Sequence, residues 1–180
     1  VDGYNVIGAW PSLREMRDRA GLEESRQLLV ESLIGYSAFQ ALDTRIVFDA
    51  QYQGSPSSQE TITPNVSIHY TDFGQTADSY IEKLCASYRS HVQLLGQRVI
   101  VATSDRVQQI TVTGYGAEWI SALRLLNDIE STARRIKQTQ HSKKRQSSRL
   151  LSSRLDPAVQ ERLSAMRFGH PLPQPKSLDG

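Results

Sequence analysis

The chain opens with VDGYNVIG, Val1–Gly8. An apolar residue is followed at once by an acid, a glycine, a tyrosine and an asparagine, and then apolar Val6 and Ile7 resume. The stretch reads as the tail of a first β-strand with Asp2 at its carboxyl end, followed by a glycine turn. No initiator methionine precedes Val1, so further residues are expected upstream. In open α/β sheets, ligands and catalytic groups gather outside the carboxyl ends of the strands. Asp2 is therefore the first candidate for a site, and the octet decides what fold to look for in the rest of the chain.

Three further runs read as strands. DTRIVFDA, Asp43–Ala50, is short and β-branched and ends in an acid. NVSIHYTD, Asn65–Asp72, alternates, and QRVIVATSD, Gln97–Asp105, is a buried-type run that also ends in an acid. Helical spacing is expected over Leu22–Ala41, through Leu29, Leu33 and Tyr36. It recurs over Thr76–His91, through Ala77, Ile81, Leu84, Cys85 and Tyr88, and over Ala117–Lys137, through Ala122, Leu126, Ile129, Ala133 and Ile136. Strands alternating with helices point to an α/β fold with a mainly parallel sheet covered on both faces. Gln51–Pro64, rich in Gly, Pro and Ser, reads as a long functional loop. Thr139–Ser153 is polar, basic and serine-rich and reads as a linker, and Asp156–Arg167 as a short terminal helix with Pro at its first position.

With 180 residues the chain can bury one core and carry an appendage. The expected division is a domain over 1–137 and an extension over 138–180. A hydrophobic fraction of 38% holds no run long enough for a membrane-spanning helix. One cysteine, Cys85, excludes an internal disulfide framework and a cysteine-rich zinc site, and fits a reducing compartment: the cytoplasm, or a plastid stroma if a transit peptide has been removed. Net charge is only +2, but it is unevenly placed. Arg134, Arg135, Lys137, Lys143, Lys144, Arg145, Arg149 and Arg154 fall in a stretch without a single acid. A basic segment beside a net acidic remainder points to a polyanionic partner; the plainer reading is a solvated basic helix or a disordered tail.

Asp2, Asp49 and Asp105 each follow a strand, and in a parallel sheet those ends share one edge. Asp78 lies at the start of a helix, with Glu82 one turn on and facing the same way. Carboxylates crowded together repel each other and their pKa values rise. A hard divalent cation such as Mg²⁺ or Mn²⁺ removes that cost, and it can activate water for attack on a phosphodiester. The competing reading is that an acid at a strand end only caps the following helix, as Asp105 or Asp78 each could. GYGAEW, Gly114–Trp119, lacks the third glycine of a dinucleotide fingerprint and reads as a helix start whose N–H groups could meet a phosphate. His69, His91, His141 and His170 have no metal-ligand spacing, Cys85 reads as core, and Ser104 has no His/Asp partners for nucleophilic catalysis. Trp10, Tyr52 and Trp119 are candidates for stacking on nucleic-acid bases.

VDGYNVIGAWP, IVFDA, TADSYIEKL, VATSD and GYGAEWISA resemble, in order and spacing, the YacP-like branch of the NYN domains, which is related to the PIN-domain nucleases. The resemblance covers roughly 1–136. It implies a PIN-like three-layer α/β sandwich with an acidic Mg²⁺-dependent site and endoribonuclease activity, of the kind that cleaves mRNA on translating ribosomes. Carried over by position, Asp2, Asp78 and Asp105 hold metal, with Glu82 as a further ligand and Asp49 and Asn5 supporting them. The glycine turn would let the backbone pass close to a phosphate, and Arg134, Arg135, Lys137, Lys143, Lys144 and Arg145 would hold RNA. The alternatives are an RNA- or ribosome-binding module that cleaves nothing, and a phosphatase. The phosphatase lacks its usual Asp-x-Asp pattern, because Tyr4 stands two residues after Asp2.

Overall fold

The computed structural model describes residues 1–49, 57–95, 97–154 and 159, with side chains described outside 90–95 and 141–154. Those residues fall into two compact units, Val1–Arg134 and Arg135–Gly180.

In the first unit, Val1 and Asp2 lead directly into helix α1, Gly3–Ala9. Helix α2 spans Pro11–Ala20, and proline at its first position suits the helix start because its missing N–H is not needed there. Helix α3 spans Leu22–Gln40, with Glu23 and Glu24 in the first turn, where the helix dipole favours negative charge. Strand β1 is Thr44–Phe48, β2 is Ser58–Thr63 and β3 is Val66–Tyr70. Helix α4, Ala77–Leu95, precedes strand β4, Ile100–Ala102; helix α5, Arg106–Gly114, precedes strand β5, Glu118–Ile120; helix α6 is Ala122–Arg154.

The strands form two small sheets. In one, β3 is central, parallel to β1 with Thr44 opposite Val66 and Phe48 opposite Tyr70, and antiparallel to β2. In the other, β4 and β5 are parallel, with α5 as the crossover. The pairing is mainly parallel, as expected, with β2 alone antiparallel, but the strands form a three-stranded mixed sheet and a two-stranded parallel one rather than a single central sheet. The N-terminal residues touch both. Asp2 bridges Val47 in parallel, the Val47 N–H donates to Val1 O at 2.9 Å, and the Asp2 N–H donates to Ala102 O at 3.1 Å.

Side chains alternate across a strand, so β1 and β4 each feed two clusters. Ile46, Phe48, Val66, Ile68 and Ala102 pack with Val6, Ile7, Trp10, Leu13, Leu29, Leu33, Ala122 and Leu125. Val47 and Val101 point the other way, to Ala77, Ile81, Cys85, Val112 and Ala117. Helices thus cover both faces of the strands, and Cys85 lies in the core as expected.

Four further expectations are corrected. The helix expected over Ala117–Lys137 begins at Ala122, because Glu118–Ile120 pairs with β4 as a strand. GYGAEW does not open a helix. The N–H groups of Tyr115, Gly116 and Ala117 all donate back to α5 carbonyls, and Gly116 turns the chain at φ 87°, where glycine is favoured. The loop expected over Gln51–Pro64 contains β2; its residues 51–56 lie outside the described residues. The linker expected over Thr139–Ser153 is helical, since α6 runs on to Arg154. That stretch is polar, but it holds no proline or glycine and is rich in Lys, Arg and Gln, which are good helix formers. Of the helix expected over Asp156–Arg167, only Val159 is described, as helical; the rest lies outside the described residues.

Candidate active site

Asp2 is the least exposed of the acids, at 7%. It caps α1: its Oδ1 accepts from the Asn5 N–H at 3.1 Å. Gly3 follows within the helix rather than in a turn, and a side chain there would overlap the Phe48 ring. The expected glycine turn is corrected to a helical residue whose missing side chain makes room for Phe48. Tyr4 packs on the same ring at 5.0 Å between centroids and accepts from Arg26 at 3.1 Å. Asn5 reaches across to the end of β4, where its Oδ1 accepts from the Ser104 N–H at 2.7 Å. Ser104 Oγ in turn accepts from the Ala122 N–H at 3.2 Å, a structural bond at the start of α6.

Asp49 follows β1 and accepts from the Ala77 N–H at the start of α4. Asp78 follows one residue later, in the first turn of that helix, with Glu82 a turn beyond. Asp105 follows β4 and caps α5, accepting from the N–H groups of Val107 at 2.7 Å and Gln108 at 3.2 Å. The capping alternative is therefore realised for Asp105 but not for Asp78, which lies inside the first turn of α4; Asp2 also caps α1, and Asp49 meets the first N–H of α4. Each of these bonds, and that to Asp78, uses Oδ1. The second oxygen of each carboxylate makes no hydrogen bond among the described residues.

The electrostatics place the acids in one field. Burial pushes the Asp2 carboxyl up to about 6, against the opposing pull of the Asn5 N–H, and the charges of Asp78 and Asp49 raise it further. Burial also raises Asp78, and Asp105, Asp49 and Glu82 add to the rise. The Val1 ammonium pulls Asp2 part of the way back; among the described residues, no Lys or Arg side chain acts on either carboxyl.

Sequence reasoning missed Gln108. It is 2% exposed, its Nε2 donates to Asp78 Oδ1, and its Oε1 is buried with no partner. Its only signal was a polar residue three positions after Asp105, on the inner face of a helix that was itself unforeseen.

Among the described residues, no three acidic, histidine or cysteine side chains converge closely enough to hold a cation as they stand. The donor set nevertheless fits Mg²⁺ or Mn²⁺. It is all oxygen, it is uncompensated by basic side chains, and Mg²⁺ is usually held by one or two carboxylates with several retained waters.

The other expected contacts divide. Trp10 is in the core, 1% exposed, with Nε1 donating to Ala122 O at 2.6 Å, so its expected stacking role is corrected. Trp119 is 45% exposed on β5, and Tyr52 lies outside the described residues. Arg134 faces Glu130 at 3.8 Å and Ser131 at 3.1 Å, and Lys137 is exposed. Arg135 is also exposed. The side chains of Lys143, Lys144 and Arg145 lie outside those described, though their backbone is part of α6. His69 stacks on Tyr80 at 3.9 Å, away from any metal-ligand grouping.

Carboxylates following strands and opening helices are thus presented by an α/β fold with helices on both faces. The chain belongs to the YacP-like NYN domain family, whose model matches residues 1–168. It is 35% identical over 136 residues to a Bacillus subtilis (strain 168) protein described as "Uncharacterized protein YacP", covering 76% of each chain. Its fold matches the crystal structure of a point mutant of Rae1 (YacP) from Bacillus subtilis, with a TM-score of 0.64 at 29% identity over 92% of this chain and 96% of that one. A second crystal structure of Rae1 (YacP) gives a TM-score of 0.63. Among the described residues, no helix is long and apolar enough to cross a membrane.

Proposed function

We propose that the protein is a metal-dependent endoribonuclease that hydrolyses RNA phosphodiester bonds. The observation carrying this reading is the crowding of acids. Asp2 and Asp78 are both raised by burial and by other carboxylates; the Val1 ammonium and the Asn5 N–H offset part of the rise at Asp2, and no Lys or Arg side chain among the described residues acts on either. Perturbed carboxyls cluster at functional sites, and a bound cation would relieve their repulsion.

Asp2, Asp78 and Asp105 would hold the ion through their free second oxygens, with Glu82 as a further ligand and Asp49 beside them. A bound Mg²⁺ or Mn²⁺ would supply a water of lowered pKa and neutralise charge on the phosphoryl oxygen. The chain's own residues do the positioning. The backbone N–H groups of Asn5, Ala77, Val107 and Gln108 fix one oxygen of Asp2, Asp49 or Asp105 and so orient the other. Asn5 ties the first acid to the third through the Ser104 N–H. The basic stretch that includes Arg134, Arg135, Lys137, Lys143, Lys144 and Arg145 would hold RNA by phosphate contacts, without reading sequence. Translating ribosomes are the proposed setting, in the cytoplasm or a plastid stroma.

One observation favours the alternative of a binding module that cleaves nothing: three of the acids already serve as helix caps. The discriminating experiment measures cleavage and RNA binding together for the wild type and Asp2→Asn. Loss of cleavage with binding retained supports the enzyme. Binding without cleavage in the wild type, on free RNA and on translating ribosomes alike, establishes the module.

A further inference from the structure

Gln108 makes a connection that no capping role explains. Its backbone N–H is held by Asp105 at 3.2 Å, and its side-chain Nε2 donates to Asp78. One residue thus couples the carboxylate on α5 to the carboxylate on α4. Its Oε1 is left buried without a partner, at a residue only 2% exposed. A buried, unpartnered carbonyl oxygen is costly relative to a satisfied one, and an apolar side chain of the same length would avoid that. The carboxamide holds both atoms, so the orphaned acceptor lies within one amide group of the Asp78 carboxylate.

We propose that Gln108 is a positioning residue for the cation site, acting through both ends of its amide. Nε2 holds the Asp78 carboxylate in its ligating orientation, and Oε1 accepts a hydrogen bond from a water in the cation's own shell. The proposal rests on the metal reading of the Asp2, Asp78 and Asp105 group. Outer-shell partners of this kind are worth about ten- to a hundred-fold in metal affinity when removed.

Mn²⁺ binding, followed by the electron paramagnetic resonance signal of the free ion, tests this with the full chain. Gln108→Met keeps the length and apolar packing but removes donor and acceptor. The expected result is at least about ten-fold weaker Mn²⁺ binding, with a thermal unfolding midpoint at or above that of the wild type. Binding equal to the wild type would overturn the proposal. No Mn²⁺ binding by the wild type would overturn the metal reading itself, and the proposal with it. A second measurement needs no variant. In ¹⁵N spectra of the wild type, substoichiometric Mn²⁺ should broaden the Gln108 side-chain amide signals well before those of exposed Gln27 on α3. Equal broadening of the two would contradict the assignment.

Discussion

At the scale of single residues, Asp2 concentrates the tension between stability and chemistry. Its folded pKa of about 6 lies above the ordinary 3.8. Below 3.8 the carboxyl is protonated in both folded and unfolded states and carries no penalty. As pH rises, the unfolded chain releases its proton first, so stability falls until about pH 6 and stays reduced above it. The shift corresponds to roughly 3 kcal/mol. Asp2→Asn keeps an acceptor for the Asn5 N–H and removes the charge. Without metal it should therefore raise the unfolding temperature at pH 7.5, with the gain vanishing near pH 4, while RNA cleavage is lost. Equal stability of the two proteins at pH 7.5 would mean that Asp2 is not strained. Gly3 gives a second test. Gly3→Ala must displace the Phe48 ring and should cost about 1–3 kcal/mol in denaturant unfolding, since overlap rather than backbone conformation sets the requirement. Asp2 could be singled out from the sequence, because an acid right after a strand-like residue is visible in one dimension. The reason for Gly3 was not visible, because Phe48 lies forty-five positions away and only the fold brings its ring there.

Elements carry the next layer. Three helices start on carboxylates of the proposed site or their neighbours, so one side chain would serve as both cap and ligand, through different oxygens. Asp105→Asn and Asp105→Ala separate the two uses. Asn still accepts from the Val107 and Gln108 N–H groups and should leave stability within about 0.5 kcal/mol, whereas Ala should lose about 1 kcal/mol. Both should abolish cleavage if the charge is what the chemistry needs. Retained cleavage in Asp105→Asn would reduce Asp105 to a cap. Strands β1, β3 and β4 and helices α3 and α4 were legible because their apolar spacing is long or strongly β-branched. Strand β5 was not. Three residues between Gly116 and α6 are too few to show a period, and they pair as a strand only because β4 offers its edge. Strand β2 was hidden by its polar composition, SQETIT, which suits a position exposed along most of its length. Helix α6 was read as too short because polarity alone does not stop a helix; proline or glycine does.

For the whole molecule, the question is how an acidic site and a basic segment serve one substrate. If RNA is held by phosphate contacts from the segment, its binding should weaken steeply as salt rises. Replacing Lys143, Lys144 and Arg145 together by glutamine should flatten that salt dependence without changing the thermal unfolding midpoint, as measured by RNA binding across a salt series. The family and the α/β class could be read from DGYN, TAD and TSD in order. The arrangement as two small sheets joined through Val1 and Asp2 could not, because it depends on main-chain pairing between residues about a hundred positions apart. The central claim is that strand-end carboxylates hold a cation that cuts RNA. Its most direct test is cleavage of a long mixed RNA, free and on translating ribosomes, with Mg²⁺, with Mn²⁺ and with EDTA, comparing the wild type with Asp78→Asn. Fragments that require metal and vanish in Asp78→Asn are the expected result. Fragments formed equally in EDTA or by Asp78→Asn, or no fragments from the wild type in either setting, would contradict it.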